Sequence, residues 1–62
     1  MFGLYDTVIL LRDTIGIPKG SWGKVVLEVG DGEAVIVEFI DDNGETLAVE
    51  VIERQHLRRK EF

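Results

Sequence analysis

Three runs of alternating apolar residues carry the fold: Lys24-Val25-Val26-Leu27-Glu28-Val29, Ala34-Val35-Ile36-Val37-Glu38-Phe39-Ile40 and Thr46-Leu47-Ala48-Val49-Glu50-Val51-Ile52. They are joined by Gly30-Asp31-Gly32 and Asp42-Asn43-Gly44. A period of two broken by short glycine-closed turns reads as a three-stranded antiparallel meander.

The turns also set an expected register. If Gly30-Asp31-Gly32 is a three-residue loop with Gly32 in the left-handed region, Val29 opposes Glu33, Leu27 opposes Val35 and Val25 opposes Val37. A two-residue Asp31-Gly32 turn would instead put the Glu38 carboxylate on the buried face, which is costly. A three-residue Asp42-Asn43-Gly44 loop then places Phe39 opposite Leu47, Val37 opposite Val49 and Val35 opposite Val51. The expected core face is therefore Leu27, Val35, Val37, Phe39, Leu47, Val49 and Val51. Three rows are expected on the outer face: Lys24, Glu38 and Ala48; Val26, Ile36 and Glu50; Glu28, Ala34 and Ile52. Val26, Ile36, Ala34, Ala48 and Ile52 are apolar on a face that should be wet, so either a partner covers them or the sheet curls over some of them.

Outside the meander, Thr7 to Leu11 reads as a first strand of β-branched and aliphatic residues. From Arg12 to Gly23 no helical period survives. Gly16, Gly20 and Gly23 offer positive φ, and Pro18 biases Ile17 toward extended backbone, so this is a long irregular loop. Glu53-Arg54-Gln55-His56 has room for one helical turn, and Leu57 is the last core residue before Arg58-Arg59-Lys60. Strand, long loop, meander, short helical turn and final strand is the order of an all-β, five-stranded SH3-like barrel. Residues 1–62 make one such domain, with 58–62 forming a loose basic tail.

Sixty-two residues bury only about 60% of the surface of the unfolded chain. With no cysteine there is no disulfide and no thiolate metal site, so packing, a bound partner or self-association must supply stability. No basic stretch of a signal peptide opens the sequence, and Val8-Ile9-Leu10-Leu11 is too short to span a bilayer; a cytoplasmic protein away from the membrane is expected. The formal charge is -5, and nine acids lie between Val25 and Glu53 with no Lys or Arg among them. An acidic sheet repels phosphate backbones, which makes nucleic acid a poor default partner.

Tyr5-Asp6-Thr7-Val8, Leu10, Arg12-Asp13, Gly20, Gly23-x-Val25-Val26, Gly32, Val37-Glu38-Phe39, Asp41-Asp42-x-Gly44-x-Thr46 and Leu57-Arg58, in that order, resemble a family of small bacterial proteins known as domain of unknown function 4926. Trp22 departs from its pattern, since a smaller residue is usual there. The resemblance implies an SH3-like barrel with no established enzymatic activity, a companion of other gene products in the manner of toxin and antitoxin pairs. The spacing Gly20-x-x-Gly23-x-Val25 also resembles the turn-and-strand motif of ribosomal and transcription-factor SH3-like domains that bind RNA.

Catalytic equipment is missing from the sequence. His56 is the one histidine, it sits among Arg54, Gln55 and Arg58, and no Ser or Cys is spaced to be its nucleophile. Asp41, Asp42 and Glu45 fit turn chemistry around Asn43-Gly44 and fail the calcium-loop pattern. No metal, cofactor or catalytic residue is expected. Trp22 reads either as an aromatic anchor for a partner or as a cap on the barrel, and Phe2 and Tyr5 admit the same pair of readings, with packing the favoured one. The expected function is protein binding: an acidic face with apolar spots, carried by Trp22, Val26, Ile36, Glu28, Glu38 and Glu50, engages a basic or mixed protein surface. One alternative is an RNA-associated barrel using Lys19, Lys24, Arg58, Arg59 and Lys60. The other is a homo-oligomer that covers the outer apolar rows.

Overall fold

The computed structural model describes residues 2–14 and 16–61. Five strands form one antiparallel sheet: β1 (Thr7–Leu10), β2 (Trp22–Val29), β3 (Ala34–Ile40), β4 (Thr46–Glu53) and β5 (Leu57–Arg59). A single 3-10 turn, Arg54–His56, separates β4 from β5. The order across the sheet is β4-β3-β2-β1-β5, so the meander occupies one side and β1 with β5 the other. β4 and β5 are not paired with each other. The expected barrel is thus an open sheet with two edges.

β2 begins at Trp22, two residues before the expected start, because Trp22, Gly23 and Lys24 pair with β1, the last two of them pairing with β3 as well. Gly23 lies where both neighbours press on it, opposite Val8 on one side and Phe39 on the other. A Cβ there would stand 2.3 Å from the Glu38 carbonyl oxygen. Its φ is not positive, so Gly23 serves close approach of two backbones and not the turn conformation expected of it. Gly32 and Gly44 do take positive φ, 93° and 81°, as the turn chemistry requires.

Each hairpin of the meander keeps the expected register at one end and departs from it at the other. In β2–β3, Lys24 opposes Glu38 and Val25 opposes Val37, as expected. Beyond Val25 the register shifts: Val26 is the extra residue of a bulge, Leu27 opposes Ile36 and Val29 opposes Ala34. The connecting loop is therefore four residues, 30–33, one longer than expected. In β3–β4 the three-residue loop is present, since the Asp41 N–H donates to the Glu45 carbonyl at 2.8 Å and Ile40 opposes Thr46. A bulge at Leu47 follows at once, and from there Phe39 opposes Ala48, Val37 opposes Glu50 and Val35 opposes Ile52.

That second shift turns β4 over. Leu47, Val49 and Val51, expected in the core, are 56%, 55% and 60% exposed, and Leu27 beyond the first bulge is 55% exposed. Ile52, expected outside, is buried, and Ala48 packs against the core. The core is one cluster of Val8, Leu10, Ile17, Val25, Val35, Val37, Phe39, Ile52 and Leu57, drawn from all five strands and from the long loop. Phe2 packs against it as expected, whereas Tyr5 is 71% exposed at a positive φ of 66°.

The loop over residues 11–14 and 16–21 is irregular but tied down. The Leu10 N–H donates to the Ser21 carbonyl, the Gly20 N–H donates to the Leu10 carbonyl, and Thr14 and Ile17 exchange both backbone hydrogen bonds. The Lys19 N–H donates to Asp13 Oδ1 at 2.7 Å. The segment expected as a loose tail from residue 58 is instead β5 at its start: Arg58 opposes Ile9, Arg59 opposes Val8, and the Lys60 N–H donates to the Thr7 carbonyl.

Candidate functional site: the outer face of the meander

Cross-strand partners share a face, so the observed registers define the outer surface row by row. One row is Lys24, Glu38 and Val49; the next is Leu27, Ile36 and Val51; the last is Val29, Ala34 and Glu53. The middle-strand residues are those expected. Each bulge has replaced their neighbours: Leu27 and Val29 for Val26 and Glu28 on β2, and Val49, Val51 and Glu53 for Ala48, Glu50 and Ile52 on β4. The result is a patch more apolar than the sequence suggested, with Leu27, Val49 and Val51 each more than half exposed around a half-buried Ile36.

The acids redistribute accordingly. Of Glu28, Glu38 and Glu50, expected on one face, only Glu38 lies on the outer one. Glu28 opposes Val35 and Glu50 opposes Val37, both in core-side register, yet both are exposed. Glu50 escapes the penalty of a buried charge because β4 is an edge and its carboxylate reaches water around the rim. Glu38 accepts a hydrogen bond from the Thr46 hydroxyl at 2.5 Å and forms no ion pair with the Lys24 opposite it. Lys24 is the basic residue in these rows; none lies between Val25 and Glu53.

Trp22 opposes Ile9 on the outer face and is half-buried. With Pro18, Ile40 and Leu47 it lines a shallow hollow at one end of the apolar rows. It belongs neither to the core cluster nor to the partly buried side chains packed against that cluster, among the described residues. This position counts against a core cap. Val26 is half-buried at its bulge and contributes less to the surface than expected.

The basic residues are divided: Arg58 and Lys24 are in outer-face register, Arg59 is in the opposite one, and the Lys60 N–H donates to the carbonyl of Thr7, which opposes Lys24. Arg58 shares the outer face with Ile9 and Trp22, while Arg59 lies in the opposite register beside Val8 and pairs with Asp6 at 3.1 Å. Lys19 sits in the loop and Lys24 in the first outer row. His56 meets the Arg12 guanidinium, with Nη1 3.4 Å from Nε2, and its carbonyl accepts from the Leu11 N–H. Asp41 Oδ1 accepts from the Asn43 and Glu45 N–H groups at 2.9 Å each, which is the turn role its position implies. Among the described residues no group of three His, Asp or Glu side chains is placed to hold a metal ion. Nor is any helix there long and apolar enough to cross a membrane.

The sequence hid this surface because Val26 and Leu47 look like ordinary paired residues. A possible clue was Glu50, whose presence in the middle of β4 is tolerated on either face of an edge strand. No curated protein and no solved structure gives a match to the chain. The family model described as Domain of unknown function (DUF4926) matches residues 4–59, nearly the whole sheet from the turn before β1 to the end of β5, and the chain belongs to that family.

Proposed function

We propose that this protein is a non-enzymatic protein-binding module of the cytoplasm, a regulatory or antitoxin-like companion that docks another protein on the outer face of its meander. The observation that carries this reading is the row Leu27, Ile36, Val51 with Val49 beside it, apolar and largely exposed on a chain with little core to spare. Fully burying one such side chain is worth about 1.5–3 kcal/mol, so a partner that covers the row recovers what the isolated domain leaves in water. Glu38 and Glu53 at its margin favour a partner with basic residues around an apolar centre. Trp22 and the hollow it lines extend the contact toward the loop.

The test is capture of a partner by the wild type and by surface variants that keep the fold. Leu27→Lys with Val51→Lys is expected to lose the partner while circular dichroism and melting stay near wild type. Trp22→Ala is expected to weaken the complex by about 2 kcal/mol through a faster off-rate, with little change in melting temperature. A partner retained by the double variant would overturn the proposal. So would tight RNA binding that survives that variant and vanishes when Arg58, Arg59 and Lys60 are replaced. The same face would also serve a second copy of the chain, which light scattering at tens of micromolar would reveal.

A further inference from the structure

The open edge of β4 is a second feature of the same region. β4 is eight residues long and pairs only with β3, so every other residue along it directs an N–H and a C=O away from the sheet. Beside those groups its outer side chains Leu47, Val49 and Val51 are exposed, and Glu50 and Glu53 are exposed as well.

We infer that β4 receives an extended segment of the partner as a sixth, antiparallel strand, and that this segment alternates apolar residues with Lys or Arg. The inference rests on the protein-binding reading and names the form of the partner. A strand laid against β4 places its own alternate residues next to Leu47, Val49 and Val51, where apolar side chains complete the outer face. Its intervening residues fall beside Ala48, Glu50 and Ile52, and a basic side chain opposite Glu50 meets an exposed carboxylate on an edge strand that has no Lys or Arg of its own. A second basic residue falls opposite Glu53. Read antiparallel, the pattern is basic, any, apolar, basic, apolar, any, apolar.

The chain's own edges do not supply this strand. A second β4 paired about its centre sets Glu50 against the Glu50 of the other copy, and every such pairing joins two chains of charge -5. β5 is basic but has three residues, Leu57 of which is buried, too few to cover eight.

The experiment uses the full chain, labelled with nitrogen-15, and the capped peptide Lys-Thr-Val-Lys-Val-Thr-Val. Three controls accompany it: the same peptide with Glu for Lys, a form N-methylated at alternate residues along each edge in turn, and the protein variant Glu50→Lys. Strand addition predicts that the Lys peptide raises exchange protection of alternate β4 amides at least tenfold. The Glu peptide and one of the two N-methylated forms should bind at least tenfold more weakly, and Glu50→Lys should reverse the preference between Lys and Glu peptides. Equal binding by both N-methylated forms, with shifts centred on Leu27 and Ile36, would overturn strand addition while leaving the outer face as the docking surface. Absence of any shift at millimolar peptide would overturn it also, and the capture of a whole partner would still report on the outer face. Protection of β4 amides that rises with protein concentration alone would assign the edge to a second copy and overturn the inference.

Discussion

The two hairpins of the meander share β3 and contain one bulge each, yet they end in opposite states. In β2–β3 the loop is one residue longer than the glycine spacing suggests, and the bulge at Val26 absorbs the difference, so Val25 still faces Val37 in the core. In β3–β4 the loop has the expected length and the bulge at Leu47 is left uncompensated, so every later residue of β4 changes face. Two slips cancel; one slip inverts a strand. A turn therefore fixes register only as far as the first bulge, and the outer surface of the meander is decided by two unpaired residues, Val26 and Leu47.

The sharpest way to break this comparison is at the strand that anchors the hairpins. Gly23→Ala forces a methyl group against the Glu38 backbone, where neither strand can retreat without losing pairing to β1 or β3. We expect a loss of about 3 kcal/mol or more, enough to unfold much of a domain this small, measured by thermal or urea melting. A near-neutral result would mean the strands are not held as closely as described.

The inversion of β4 has its own test in two neighbouring residues. Ile52→Ala should destabilise by about 2–4 kcal/mol because it empties a core position, while Val51→Ala should change stability by less than about 1 kcal/mol. The regular register predicts the reverse order. The smallest effect is expected from deleting Leu47. Removing the bulged residue leaves Ile40 opposite Thr46 and Phe39 opposite Ala48 in uninterrupted pairing, so stability should move by less than about 1 kcal/mol. Were β4 regularly paired, the same deletion would throw its whole core face into water and the protein would not fold.

Much of this was legible in the residues. The turn glycines, the number and order of strands, the helical turn near Arg54 and the core positions Val25, Val35, Val37 and Phe39 all follow from local chemistry and a period of two. The flanks of the outer face did not, because Val26 and Leu47 carry no mark of a bulge and β4 has apolar residues on both of its faces. Alternation around Glu50 favoured Val49 and Val51 as core. That preference assumes a buried carboxylate on the other side, and an open edge removes the assumption. Gly23 was read as a source of conformational freedom, since nothing local reveals that two strands press on it at once. Ile36 lies on the outer surface as expected, whereas the place of Trp22 there, and the company both keep, came only from the registers.

Ile17 shows how the longest connection of the chain is constrained. It lies in the loop between β1 and β2, held by its exchange of hydrogen bonds with Thr14, and is only 3% exposed in a core otherwise built from strands. A connection that lends a side chain to the interior is measured from both ends: the distance from Leu10 to Ile17 and from Ile17 to Trp22 must each suit the one cavity it fills. Such a loop has no spare slack in which to gain or lose residues. Variation in length, which surface connections usually absorb freely, is displaced to the turns at Gly30 and Asn43, at the far ends of the meander.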